Sequence, residues 1–148
     1  IREGLAQYFD DTALMIGHTY AGHPMAVAAG LATVTALKKE GLFERARQLD
    51  PVLKAGLGAL KERHNVIGDV RGIGLMMCIE LEADKEKRTA LDRKAPLPAK
   101  VAEHAYRNGA MVRVSGGNLI LSPPLVIQRE QIDILVDAIE AALIACGG

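Results

Sequence analysis

Apolar positions along the chain fall into three- and four-residue steps, then into alternation, then mix the two. Residues 1–9 read as a short helix, and 10–22 as a loop with a strand-like apolar stretch, Ala13-Leu14-Met15-Ile16. A helix follows from about Pro24 to Glu40. Val27, Leu31, Val34 and Leu37 share one face, and Ala26, Ala29, Gly30 and Thr33 form a thin side suited to close packing. Gly41 is a natural stop. A second helical stretch, 42–64, carries the stripe Leu42, Ala46, Leu49, Leu53, Leu57 and Leu60. Pro51 removes a hydrogen bond inside it, which predicts a kink or a fresh start capped by Asp50.

The period then shortens. Residues 65–71 and 75–81 read as strands with Gly72 and Gly74 as a tight turn or bulge between them. Residues 82–94 are charged and aperiodic, which predicts a mobile surface loop. A third helix is expected over 98–108. Strands at 110–114 and 119–122 form a hairpin closed by Ser115-Gly116-Gly117-Asn118. Pro123-Pro124 ends it, and a last helix over about 129–146 turns Ile132, Leu135, Val136, Ile139 and Leu143 inward. Strands and helices show no sustained alternation, so a doubly wound parallel sheet is not expected. The order predicts a two-layer α+β domain, a small, mostly antiparallel sheet covered by helices on one face.

Composition narrows the function classes. The 148 residues are 49% hydrophobic and 24% charged, enough apolar material for one folded domain. Net charge is zero, so nothing favours nucleic acid as a partner. Charges or glycines interrupt every apolar run before it reaches membrane-spanning length, and no signal peptide is expected. Two cysteines, Cys78 and Cys146, are too few for a disulfide framework and point to a reducing, cytoplasmic location. Cys78, in an apolar run, is expected to be a small buried hydrophobe. The first residue is Ile1 rather than Met, which reads as a chain with its start removed or a piece of a longer one.

Three stretches could carry chemistry. Gly17-His18-Thr19-Tyr20-Ala21-Gly22-His23-Pro24 runs directly into a helix. Free amides and the positive end of the helix dipole suit a phosphate or carboxylate there, and the Thr19 hydroxyl adds a donor. Spacing alone reads as an ordinary helix cap. Arg113, flanked by Val112 and Val114, faces the opposite side of its strand, where a guanidinium can grip a carboxylate through two parallel hydrogen bonds. The plain alternative is a solvated strand arginine. Arg71-Gly72-Ile73-Gly74-Leu75 lacks the following helix of a dinucleotide fingerprint, so Arg71 is assigned a structural role. Of the four histidines, His18 and His23 do not match a metal spacing. His64 and His104 stand alone and are expected at the surface, so no metal site is expected.

The first stretch resembles the phosphate-contact segment G-x-T-Y-S-G-H-P of class III aminotransferases, which are pyridoxal-phosphate (PLP) enzymes of fold type I. His18 and Ala21 depart from its usual wording. Residues 113–125 resemble the family's R-x-S-G-x-x-I-x-x-S-P-P-L, and residues 71–75 its R-G-x-G-L, which leads into a strand ending in Glu80. The three motifs stand in the family's order, so the chain is similar to the C-terminal third of such an enzyme, of the omega-amino acid:pyruvate aminotransferase kind. The resemblance implies that residues 1–23 lead in from a large PLP-binding domain and that 24–148 form the small domain. It implies a homodimer in which Thr19, with Tyr20 beside it, contacts the PLP phosphate of the neighbouring subunit. It further implies that Arg113 pairs with a substrate carboxylate, and that the amino group of an amino acid or amine passes to a 2-oxo acid such as pyruvate.

The family's catalytic lysine, which forms the Schiff base with PLP, lies upstream of G-x-T-Y. None of Lys38, Lys39, Lys54, Lys61, Lys85, Lys87, Lys94 and Lys100 matches it, and all read as solvated. No catalytic residue is therefore assigned within this chain, and the chain by itself is expected to be inactive. Two other classes stay open: a stand-alone anion or small-molecule binding module, and a dimerisation domain using the thin face of the first long helix.

Overall fold

The computed structural model describes residues 2–84, 86–92 and 94–147. Two compact units divide the chain, one over Ile1–Leu37 and the other over Lys38–Gly148.

The first unit holds α1 (Glu3–Tyr8) and most of α2 (Pro24–Lys39). Residues 13–16 form no strand: Met15 is 92% exposed, and no partner strand pairs with it. α2 forms where expected, started by Pro24 in the first turn and closed by Lys38 and Lys39 near its negative end. It buries no residue, and Met25, Val27, Leu31 and Val34 all stand exposed.

The second unit is the two-layer α+β fold. Its helices are α3 (Leu42–Arg63), α4 (Leu97–Arg107) and α5 (Arg129–Ala145), and its strands are β1 (Ile67–Ile73), β2 (Met76–Asp84), β3 (Thr89–Ala90), β4 (Arg113–Ser115) and β5 (Asn118–Leu121). Strand order is β1-β2-β5-β4, with β3 paired to the far end of β2, and every pairing is antiparallel. α3 runs through Pro51 without a break, because tertiary burial of Leu53, Leu57 and Leu60 outweighs one lost backbone hydrogen bond. Gly56 lets α5 come close, since a Cβ there would lie 2.9 Å from Val136 Cγ2. Arg45 of α3 ties down the segment between β5 and α5, donating from Nε and Nη2 to the Ile127 carbonyl at 3.1 and 2.7 Å. α5 starts with a capping box in which Gln128 and Gln131 satisfy each other's free backbone groups.

The core lies between these helices and one sheet face. Met77, Ile79 and Leu81 of β2 and Leu119 and Leu121 of β5 meet Leu57 and Leu60 of α3, Val101 of α4, and Ile132, Ile139 and Leu143 of α5. Register then sets what occupies the other face.

Four further expectations are corrected. Gly72 belongs to β1 opposite Met77, and the turn is Gly74-Leu75 alone, with Gly74 at φ +59°. The charged stretch after residue 81 is not all loop: Glu82 and Asp84 extend β2 and pair with Ala90 and Thr89. Cys78 is half-buried rather than buried, since it lies on the sheet face away from the core. His64 is 6% exposed, because it ends α3 against α5, where its Nε2 sits 3.6 Å from Glu140 Oε1.

Candidate functional site

Pairing register assembles two cross-strand rows on the helix-free face of the sheet. One row runs Arg113, Ile120, Cys78, Arg71 and the other Ser115, Asn118, Glu80, Asp69, from β4 through β5 and β2 to β1. Residues directly opposite in an antiparallel ladder share a face, so the eight side chains point the same way. With three strand spacings between them, the two arginines stand roughly 14 Å apart.

Their chemistry differs. Arg71 is engaged: its guanidinium pairs with Glu80 and reaches Asp69 Oδ2 at 3.4 Å. The Glu80 hydrogen bond raises its pKa further. Asp69 in turn accepts from Lys61 Nζ at 3.0 Å. The Lys61 hydrogen bond and charge, with the Val70 amide and Arg71, hold the Asp69 carboxyl below its ordinary 3.8 against the opposing effect of burial. Arg113 is exposed, as are Val114 and Ser115 beside it, and it has no ion-pair or hydrogen-bond partner among the described residues. Arg71 is thus held in cross-strand ion pairs on this face, whereas Arg113 stands without a partner among the described residues.

The lowered Asp69 pKa fixes a pH response. Its contribution to stability is complete above the unfolded value near 3.8 and is lost as pH falls through the lower folded value. Asp69→Asn should lower the melting temperature slightly at pH 7, as expected for a half-exposed ion pair, and flatten its further loss as pH falls below about 4, so that variant and parent converge in acid, measured by circular dichroism. An unaltered slope would show that the Lys61 pair carries no folding linkage.

The second row holds a residue not singled out from the sequence. Asn118 donates from Nδ2 to the Ser115 carbonyl at 3.1 Å, and its Oδ1 lies 3.5 Å from Cys78 Sγ. Burial pushes the Cys78 thiol pKa up, so the sulfur keeps its proton at neutral pH and remains a donor. The hairpin reading of Ser115 to Asn118 was the signal that could have found it, because it puts Asn118 on the face of Arg113.

Thr19 and Tyr20 lie in the first unit, in a double turn. The Ala21 amide donates to the His18 carbonyl at 2.9 Å and the His23 amide to Tyr20 at 3.1 Å. Thr19 and Tyr20 are exposed, and their own amides have no backbone acceptor among the described residues. Tyr20 leans on His23, ring centroids 5.2 Å apart. A hydroxyl and two neighbouring amides left free just before a helix make a donor set that fits a phosphate.

The remaining candidates separate from this chemistry. Lys54 pairs with Asp50 at 2.9 Å and Lys87 with Asp84 at 2.9 Å. Lys85 lies outside the described residues. Among the described residues, no group of three or more His, Cys, Asp or Glu is arranged to hold a metal, and no helix is long and apolar enough to cross a membrane. A cavity of about 480 Å³ opens between Ala110, Met111, Pro123, Pro124, Ile127 and Leu135. Its walls are mostly apolar, and they include none of Thr19, Tyr20, Arg71, Cys78, Arg113 and Asn118.

Comparison with known proteins identifies the family. Residues 2–143 match the family model of class III aminotransferases. An omega-aminotransferase of Caulobacter vibrioides is 36% identical over 88% of this chain and 28% of its own length. A putrescine–pyruvate aminotransferase of Pseudomonas aeruginosa is 36% identical over 81% of this chain and 26% of its own. The crystal structure of an amine transaminase from an uncultivated Pseudomonas species, in its PLP-bound form, superimposes with a TM-score of 0.85 at 42% identity, covering 91% of this chain and 30% of that one. The chain therefore spans between a quarter and a third of the length of these proteins. Matched over almost its whole length in sequence and in fold, it belongs to the class III aminotransferase family.

Proposed function

We propose that this chain is the C-terminal part of a PLP-dependent aminotransferase, which moves an amino group from an amino acid or amine to a 2-oxo acid such as pyruvate. The observation that carries the proposal is the family match across residues 2–143, with its three motifs in order and the same fold. α2 supports it as well. A 16-residue helix apolar on several sides and buried on none calls for further polypeptide around it.

PLP, when bound, supplies the electron sink for breaking bonds at the carbon bearing the amino group. Thr19 and Tyr20 would hold its phosphate through the Thr19 hydroxyl and their two free amides. Arg113 would fix the substrate carboxylate through paired hydrogen bonds and so orient the amino group. Glu80 and Asp69 keep Arg71 from competing for that carboxylate. The lysine that holds the cofactor is assigned to the large domain, upstream of residues 1–23, with 24–148 as the small domain. A homodimer, in which Thr19 reaches the phosphate in the neighbouring subunit, and a cytoplasmic location belong to the same proposal.

The test is the mass of the native polypeptide, followed by assay of that polypeptide with PLP. A mass about three times the 15.8 kDa of this chain, with transamination, is the expected result. A native mass of 15.8 kDa would overturn the aminotransferase reading in favour of a binding or assembly module. Turnover by the purified 148-residue chain would show that it does not need the upstream lysine.

A further inference from the structure

We infer that Asn118 is a positioning residue for Arg113, setting how the protein binds the carboxylate end of its substrate; this rests on the role proposed for Arg113. β4 is three residues long and pairs only with β5, through Arg113–Ile120, Val114–Leu119 and Ser115–Asn118. Arg113 itself has no side-chain partner among the described residues to steady it, so its place depends on its backbone. A short strand at a sheet edge frays readily. Asn118 opposes that from the Arg113 face. Its Nδ2 holds the carbonyl of Ser115, two residues from Arg113, and its Oδ1 faces the Cys78 thiol on β2. One side chain thus ties the edge strand, across β5, to the central strand of the sheet.

Cys78 is itself fixed. It sits between Arg71 on β1 and Ile120 on β5, beside the Arg71–Glu80 pair. The tie therefore ends on an inner strand, beside a cross-strand ion pair. Gly116-Gly117, the two-residue turn next to Asn118, has no side chain to replace it, and Gly116 takes φ +58°. Without the Asn118 amide, the turn would keep the hydrogen bond from the Leu81 amide to the Gly117 carbonyl at 2.9 Å, and β4 itself its three-pair ladder with β5.

The test uses the full-length PLP-loaded protein and the donor half-reaction in single turnover, without a 2-oxo acid. Two donors are compared: 4-aminobutanoate, which carries a carboxylate, and putrescine, which does not. Asn118→Ala should weaken apparent binding of 4-aminobutanoate about tenfold, with the maximal rate within about threefold and putrescine binding changed less than about threefold. Combined with Arg113→Ala it should add little, because both act through one guanidinium. Amide exchange at Val114 and Ser115 should quicken in Asn118→Ala. If Asn118→Ala fails to fold, Cys78→Ala removes the same tie from the β2 side and should give a loss of about two- to threefold on 4-aminobutanoate alone.

Equal losses on both donors, or full additivity with Arg113→Ala, would overturn the positioning role and leave Asn118 a general hairpin support. If Arg113→Ala does not distinguish the donors, the carboxylate role of Arg113 fails, and the inference about Asn118 falls with it. If the full-length protein turns over neither donor, the aminotransferase reading itself is overturned.

Discussion

In the full-length protein, Arg113→Ala should lower kcat/KM for a carboxylate-bearing donor about 100-fold, equivalent to roughly 2–3 kcal/mol. The size follows from the site. Arg113 is without a partner among the described residues, while Arg71 is held by Glu80 and Asp69 and cannot move across to substitute for it. A paired guanidinium–carboxylate contact is charge-assisted at both ends, so its loss exceeds that of a neutral hydrogen bond. Arg113→Lys should recover only part of the loss, since an ammonium keeps the charge but not the planar fork. The loss should be at least about tenfold greater for 4-aminobutanoate than for putrescine, read in the donor half-reaction. Equal losses would move Arg113 to a structural role.

The second large effect concerns folding. Gly72→Ala should destabilise the fold by about 3 kcal/mol, lowering the melting temperature by roughly 6–12 °C. A Cβ at Gly72 would lie 2.1 Å from the Met76 carbonyl oxygen, 2.6 Å from Met77 Sδ and 2.8 Å from Met77 Cα. Two of those atoms are backbone of the paired strand, so a rotamer change cannot relieve the clash. The β1–β2 ladder must open at Gly72↔Met77, and Met77 is a core residue at 2% exposure. Gly58 supplies the contrast. It lies inside α3 with nothing within 4 Å of its Cβ position, so Gly58→Ala should be neutral or stabilise by up to about 1 kcal/mol. Thermal melts of the two variants decide the matter. Similar melting temperatures would show that crowding at Gly72 is not what the sequence R-G-x-G-L protects.

Much of this was legible from the residues. The Leu53, Leu57, Leu60 stripe and the inward face of the last helix were plain because helical periodicity is a local property. The hairpin at Ser115 to Asn118 was visible for the same reason, since its turn glycines are neighbours in sequence. Thr19, Tyr20 and Arg113 were found through motif wording rather than spacing. Their exposed side chains, which make no hydrogen bond among the described residues, suit the roles proposed for them, which the experiments above test.

What escaped the sequence depends on contacts between distant residues. Pro51 looked like a break, but packing against the sheet and α5 holds the helix together across it. His64 looked like a surface residue because nothing nearby in sequence shows α5 lying over it. The face shared by Arg113, Asn118, Cys78 and Arg71 rests on pairing β2 with β5, some forty residues apart, and a one-residue slip would turn each strand's side chains to the other side. The sequence by itself determined the helices, the hairpin, the layer class and the family, since each is written in local pattern or in motif order. Only the tertiary structure decided that Arg71 is neutralised, Arg113 is free and Asn118 stands between strands, because strand register alone sets which charges meet.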